Sequence, residues 1–364
     1  MTNKRMRLSP EEVDLINEHR GISVTNINGN TALDLHLAER GIDKSDVVSV
    51  KHWQSASGEF RFSVVTKENT GVSQSIIEDT FSDILEDIKE WSPKFEHIVR
   101  KPLADPHCLV IDPADIHVGK LSSMRETGQS YDMQKAVSQV DGAVDGILSK
   151  AIGFSIDKIF FVIGNDVLHI DTPRRTTTSG TPQDTSGMWH EAFIEAKMMY
   201  VRAIEKMLPV ADVHVIFNPS NHDYMSGWML AQTIEAYFRN HPNVTFDVSI
   251  AHRKYTSYGV NLIGTNHGDG AKLDNLPLIM AQEAPELWVK CPMRYVYLHH
   301  IHHKQTYKFM SGKDFIGVTV EYLRTPSASD SWHHRNGYIG AKKAVEAFVH
   351  SKEHGQVARI THNL

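Results

Sequence analysis

The sequence predicts an α/β fold, a sheet covered on its faces by helices, with a small α+β module ahead of it. Two observations carry this. After Pro102 short apolar runs alternate with longer amphipathic stretches, the rhythm of strands and helices taking turns. Five of those runs break off directly into Asp, Asn and His, the pattern of a sheet whose strand ends gather a ligand at one edge.

The leading module, residues 1–100, reads differently. Ser9, Pro10 and Glu12 form a helix start of capping-box type, Gly41 closes a second short helix, and residues 47–53 and 60–65 alternate like a hairpin around Gly58. From there Ile77, Phe81, Ile84, Ile88 and Trp91 recur at helical spacing, with Glu78, Asp79, Asp83, Glu86, Asp87 and Glu90 covering the rest of that helix. Such an acidic face is unsuited to DNA. Lys and Arg are not concentrated on the first helix pair after Arg7, so a role in homo-oligomer formation or substrate gating is expected rather than a helix-turn-helix.

In the main domain, residues 101–330, strands are expected at 108–111, 159–163, 213–217, 260–263, 295–298 and 316–322. Helices are marked by Met133, Val137, Val140, Val144 and Ile147, by Trp189, Phe193, Ala196, Tyr200 and Ala203, and by Ala231, Ile234 and Phe238. The stretch TPRRTTTSGTPQDTSG lacks apolar residues for a core and is expected as a mobile loop. Residues 331–364 are expected as a C-terminal helix and tail, and around its start the stretch SDSWHHRNGY offers Trp332, His333, His334 and Arg335 as a candidate base-stacking or phosphate-binding patch.

Composition bounds the function. A formal charge of −6 leaves any nucleic-acid contact to a local patch. Cys108 and Cys291, the two cysteines, flank apolar runs, which fits reduced thiols of a cytoplasmic protein rather than a disulfide framework. The first residues lack the apolar core of a signal peptide and no run is long enough to span a bilayer, so no membrane association is expected. The 22 histidines are suggestive only where they fall together.

They do fall together. The strand ends read VIDPADIHVG, FVIGNDVLHID, VIFNPSNHD, LIGTNHGD and VYLHHIHH. A single histidine of this kind is more often a surface or core residue. Carboxylates, imidazoles and an amide after five successive strands are instead what a pair of divalent ions requires, since each ion takes donors converging from separate segments.

This ordered set resembles the calcineurin-like metallophosphoesterase superfamily, whose blocks run D-x-H, G-D-x-x-D, G-N-H-D/E, H and G-H-x-H, over roughly residues 106–324. The resemblance implies a β-sandwich flanked by helices and two divalent ions, Mn with Fe, Zn or Ni as other candidates. It assigns Asp115, His117 and His302 to one ion and Asn221, His267 and His300 to the other, with Asp166 bridging. It further implies attack on a phosphate ester by a metal-bridging hydroxide, with His222 as the acid for the leaving oxygen and Asp223 orienting its ring.

Three positions depart from the blocks. Asn165 intrudes before Asp166, which leaves Asp171 as a competing bridge, and Ser220 and His299 stand where glycines are usual, so those loops must close differently. Arg174 and Arg175 in the Thr-rich stretch are candidate substrate clamps, because guanidinium forks suit phosphate oxygens. The resemblance runs toward the repair-exonuclease-like branch, implying a phosphodiesterase or nuclease acting on DNA. The alternatives are a phosphatase or phosphodiesterase for small nucleotides or phosphoproteins, and a non-catalytic scaffold.

Overall fold

A computed structural model of the chain describes residues 32–54, 60–66, 94–300, 312–337 and 340–364. It divides into two compact units, residues 1–91 and 92–364. In the first, a helix α1 (Ala32–Glu39) ends at Gly41, whose φ of 64° is the left-handed backbone that closes a helix. Strands β1 (Val47–Gln54) and β2 (Phe60–Thr66) then pair antiparallel, the hairpin expected from their alternation. The helix start at Ser9 and the acidic helix at 77–91 lie outside the described residues.

The second unit is a mixed α/β sandwich. Its larger sheet has the order β13-β12-β3-β4-β5-β6, built from β3 (His107–Ile111), β4 (Ile156–Gly164), β5 (Asp212–Asn218), β6 (Val244–Asp247), β12 (Ala344–Ser351) and β13 (Gly355–Asn363). The smaller has the order β10-β11-β9-β8-β7, from β7 (Arg253–Tyr258), β8 (Asn261–Asn266), β9 (Met293–Leu298), β10 (Gly312–Phe315) and β11 (Val318–Tyr322). Strands β3 to β6 run parallel, as do β8, β9 and β11.

Side-chain alternation sorts each central strand into two layers. Leu109, Ile111, Ile159, Phe161, Val213 and Val215 join the core beneath the helices, while Cys108, Val110, Phe160, Val162, Ile216 and Phe348 face Ile263 and Tyr297 in the core between the sheets. Burial on both faces is why these strands read as unbroken apolar runs. Tyr297 and Phe348 stack across that inner core at 4.1 Å.

Helices α3 (Met133–Lys150), α4 (Trp189–Met207) and α5 (Tyr224–Phe238) cover the larger sheet, and a short α2 (Met124–Thr127) precedes them. Asp132 caps α3 by accepting from the Lys135 amide, and Met133, Ala136, Val137, Val140, Val144 and Ile147 make its buried stripe. The smaller sheet carries α6 (Leu276–Glu283) and α7 (Pro285–Lys290) against Leu262, Val296, Leu298 and Val320. No helix among the described residues is long and apolar enough to cross a membrane.

Two expectations need correction. The segment after 330 is not a helix and tail: after the five-residue α8 (Ser331–Arg335) it supplies β12 and β13, and β12 pairs antiparallel with β3 at the centre of the larger sheet. The expected strand 316–322 is the second arm of a hairpin that turns at Ile316 and Gly317. The Thr-rich stretch 172–187 holds neither helix nor strand, yet it is fastened by amide bonds from Asp171 to Thr176, Gln183 to Arg175 and Thr177 to Thr181, at 2.8–2.9 Å.

Candidate metal centre

Parallel pairing puts the carboxyl ends of β3, β4 and β5 at one edge of the larger sheet, and those of β8 and β9 at one edge of the smaller. The two edges meet. The β3 and β4 loops run side by side, with the amides of Asp115, His117 and Val118 donating to the carbonyls of Asn165, Asp166 and Val167 at 2.7–2.9 Å. From the smaller sheet the His300 amide donates to Asp115 Oδ2 at 3.2 Å, and His299 Nε2 stands 2.9 Å from Asp112 Oδ2, both side chains fully buried.

These loops are strained. Asp115, His117, Asn165, Asp166 and His300 all have φ between 50° and 69°, a region L side chains avoid at a cost of roughly 1 kcal/mol or more each. Gly164, at φ 85°, leads into the β4 loop, where an added Cβ would collide with the Asn218 carbonyl. Ser220 explains the missing glycine of its block by its hydroxyl, which accepts from the Asp166 amide at 2.7 Å and donates to Asp223 Oδ1 at 2.6 Å. At His299 the ring instead lies beside the Asp112 carboxylate.

Asp166, Asn221, His267 and His300 converge on one point. His267 Nε2 lies 2.9 Å from Asn221 Oδ1, 3.1 Å from Asp166 Oδ2 and 3.2 Å from His300 Nδ1. A ring nitrogen carries at most one hydrogen, so it cannot satisfy three such neighbours. A cation among the four atoms would. A second group, Asp115, His117 and Asp166, also places its ligand atoms within 4.8 Å of one another, and Asp166 belongs to both. Each of these groups could hold a metal ion. His302, the remaining expected ligand, lies outside the described residues.

The electrostatics agree. Burial pulls the His267 imidazole down, but the Asp166 and Asp115 carboxylates outweigh it and the ring is pushed up to about 9. Burial acts against ionisation of Asp166, yet His267 and His222 hold it far below the usual carboxylate range. Asp115 is raised, by burial first. The protein thus gathers buried carboxylate charge that demands a cation, a proton on His267 or an ion in its place.

Asp171, the competing bridge, does other work: its carboxylate accepts from the amides of Met225 and Ser226 and from Thr178 Oγ1, fixing the first turn of α5. Asp223 does not orient the His222 ring. It is engaged with Ser220 and with the Leu168 amide at 2.8 Å, and burial followed by the nearby Asp166 raises it to about 7. The ring is set instead by His222 Nδ1 lying 3.0 Å from the His169 carbonyl oxygen.

His169 is a residue the sequence reading left without a role. Its ring stacks on His222 with centroids 5.4 Å apart, its Nδ1 is 3.4 Å from His117 Nδ1, and the three histidines form a further group with ligand atoms within 4.8 Å. Its place three residues after Asp166 was the available signal. Lys120 gave none, although its fully buried ammonium lies 2.9 Å from Asp330 Oδ2.

An open cleft of ≈ 660 Å³ adjoins the centre, with His117, His222 and His300 at one side and Trp332, His333 and Arg335 of α8 among its other walls. Thr177, Ser179 and Thr181 of the Thr-rich stretch line it too, but Arg174 and Arg175 do not; both are exposed away from these walls.

No family model and no curated protein matches the chain. Among solved structures, two crystal structures of Chaetomium thermophilum Vps29, one complexed with the RaPID-derived cyclic peptide RT-D3, are 7% and 8% identical to it. They cover 72% and 71% of this chain and 97% and 96% of theirs, with TM-scores of 0.29 and 0.28, too low to say anything of the site.

Proposed function

We propose that the chain is a dinuclear metal-dependent phosphoesterase, a phosphodiesterase or nuclease that hydrolyses nucleic-acid phosphodiester bonds. The observation that carries the metal reading is the crowding of Asp166, Asn221 and His300 donor atoms around one nitrogen of His267. Asp166, Asn221, His267 and His300 would hold one ion; Asp115, His117 and Asp166, with His302, the other. Two bound divalent cations supply a nucleophile near neutral pH and neutralise phosphate charge.

The chain's own residues supply the rest. His222 borders the cleft with Nδ1 turned to the His169 carbonyl, so Nε2 is the nitrogen placed to give a proton to the leaving oxygen. The Asp166 carboxylate fixes that residue through its backbone, accepting from the His222 amide at 2.9 Å. The size of the cleft also suits a single small nucleotide, the observation that favours a small-substrate phosphatase or phosphodiesterase as second reading.

The test is metal analysis after chelation and reconstitution with Mn²⁺, Fe²⁺, Zn²⁺ or Ni²⁺, followed by assays on monoester, diester, cyclic-nucleotide and DNA substrates. Two ions per chain and diester cleavage are expected. Failure to retain any ion would overturn the dinuclear reading, and cleavage confined to monoesters would overturn the nuclease.

A further inference from the structure

Helix α8 stands in the same cleft as the candidate metal centre, and two ties hold it there. Asp330, the residue before it, caps the helix by accepting from the His333 amide at 3.0 Å and binds the His333 ring at 2.6 Å. The same carboxylate reaches Lys120 Nζ at 2.9 Å, and the Lys120 amide donates to the His117 carbonyl at 2.9 Å. A metal-ligand candidate and α8 are thus joined through one buried lysine. The His333 hydrogen bond and then the Lys120 ammonium hold the Asp330 carboxyl far below the usual range despite burial.

On this fixed helix Trp332 is 60% exposed, with its ring in an edge contact with His333, and it lines the cleft together with Arg335. An aromatic plane and a guanidinium beside a phosphate-handling centre match a base linked to a phosphate. We propose that α8 is a nucleobase subsite, in which Trp332 stacks on the base adjoining the reacting phosphate and Arg335 faces a phosphate oxygen. The proposal rests on the phosphoesterase reading for which phosphate reacts, but the stacking is a binding property and is tested as one.

The experiment is calorimetric titration of the full chain, in the presence of Mn²⁺, with AMP, with a tetradeoxyadenylate whose phosphorothioate linkages resist cleavage, and with ribose 5-phosphate, which lacks the base. Trp332→Ala should weaken both base-bearing ligands by roughly 5- to 150-fold, the range of one base–aromatic stack, and change ribose 5-phosphate by less than about twofold. Trp332→Phe, which keeps a ring, should restore most of the affinity and also shows that the position tolerates substitution. Tighter binding of the tetranucleotide than of AMP identifies a strand as the source of the base, and equal binding identifies a mononucleotide. Unchanged AMP affinity in Trp332→Ala, or equal losses for AMP and ribose 5-phosphate, would overturn the subsite. Trp332-dependent AMP binding by a protein that cleaves no ester would keep the subsite and overturn the catalytic reading alone.

Discussion

The backbone amide of His222 donates to Oδ1 of Asp166 at 2.9 Å, while the other oxygen of that carboxylate points to His267. One side chain therefore fixes the loop that carries the proposed acid and faces the ligands of both proposed ions. Asp166→Asn should remove activity and weaken both metal sites, because it halves the anionic charge available to share. Asp171→Asn keeps an oxygen for the α5 amides and should retain two ions and most of the rate. Metal content and steady-state rates of the two variants decide this; a dead Asp171→Asn beside a near-wild-type Asp166→Asn would place the bridge at Asp171.

Much of this site was legible because its residues follow strands buried on both faces, such as FFVIG in β4, whose apolar run ends abruptly at Asn165. The strands that escaped reading carry polar residues inward. In β12 Glu346 is buried against Arg359 at 2.8 Å, and His350 and Ser351 are buried too, so the run breaks although the strand is central. β7, RKYTSY, is an edge strand with a mostly polar sequence. The role of Asp223 was misplaced for another reason: adjacency to His222 in sequence says nothing of direction, and its carboxylate turns toward Ser220 and Leu168.

Arg174 and Arg175 are exposed and absent from the walls of the cleft. Alanine at both positions should leave kcat/KM on a diester within about twofold of wild type, since exposed charges away from a ligand contribute little in a salt-screened solvent. A tenfold rise in KM at low salt would show instead that this segment reaches the substrate.

His350 gives the fold an acid-sensitive point far from the metal ligands. Asn261 spends its amide hydrogens on the Tyr258 and Ser351 carbonyls at 2.8 Å, so its Oδ1 accepts from His350 Nδ1, and Nε2 lies 2.9 Å from the Tyr297 hydroxyl oxygen, which also bonds Gln356 Oε1 at 3.0 Å. Burial lowers the pKa of this imidazole to about 3, which keeps it neutral near pH 7. Between the unfolded value near 6.5 and about 3 the unfolded chain binds the proton and the folded chain does not. Stability from this group is thus complete above pH 6.5 and declines by about 1.4 kcal/mol per pH unit as pH falls through that window. His350→Gln should flatten the pH dependence of urea unfolding between pH 6.5 and 4 by that slope; identical slopes in both proteins would mean His350 is charged in the fold.

His222 separates proton transfer from metal binding. Its ring is outside the group formed by Asp166, His267 and His300, and its Nδ1 is engaged with a carbonyl of the β4 loop, so removing the ring leaves the carboxylates and the other imidazoles in place. His222→Ala should therefore retain both ions. A poor leaving group departs as a strongly basic oxygen and needs a proton, so the rate on a natural diester should fall by roughly 10² to 10⁴, the usual worth of a positioned acid. Nitrophenolate is stable without that proton, and its ester should lose far less. A general loss of folding or of metal would depress both substrates alike, so the contrast belongs to acid catalysis. Metal analysis with steady-state rates on both esters is the measurement: equal losses, or a missing ion, would reassign His222 to the metal cluster it shares with His117 and His169.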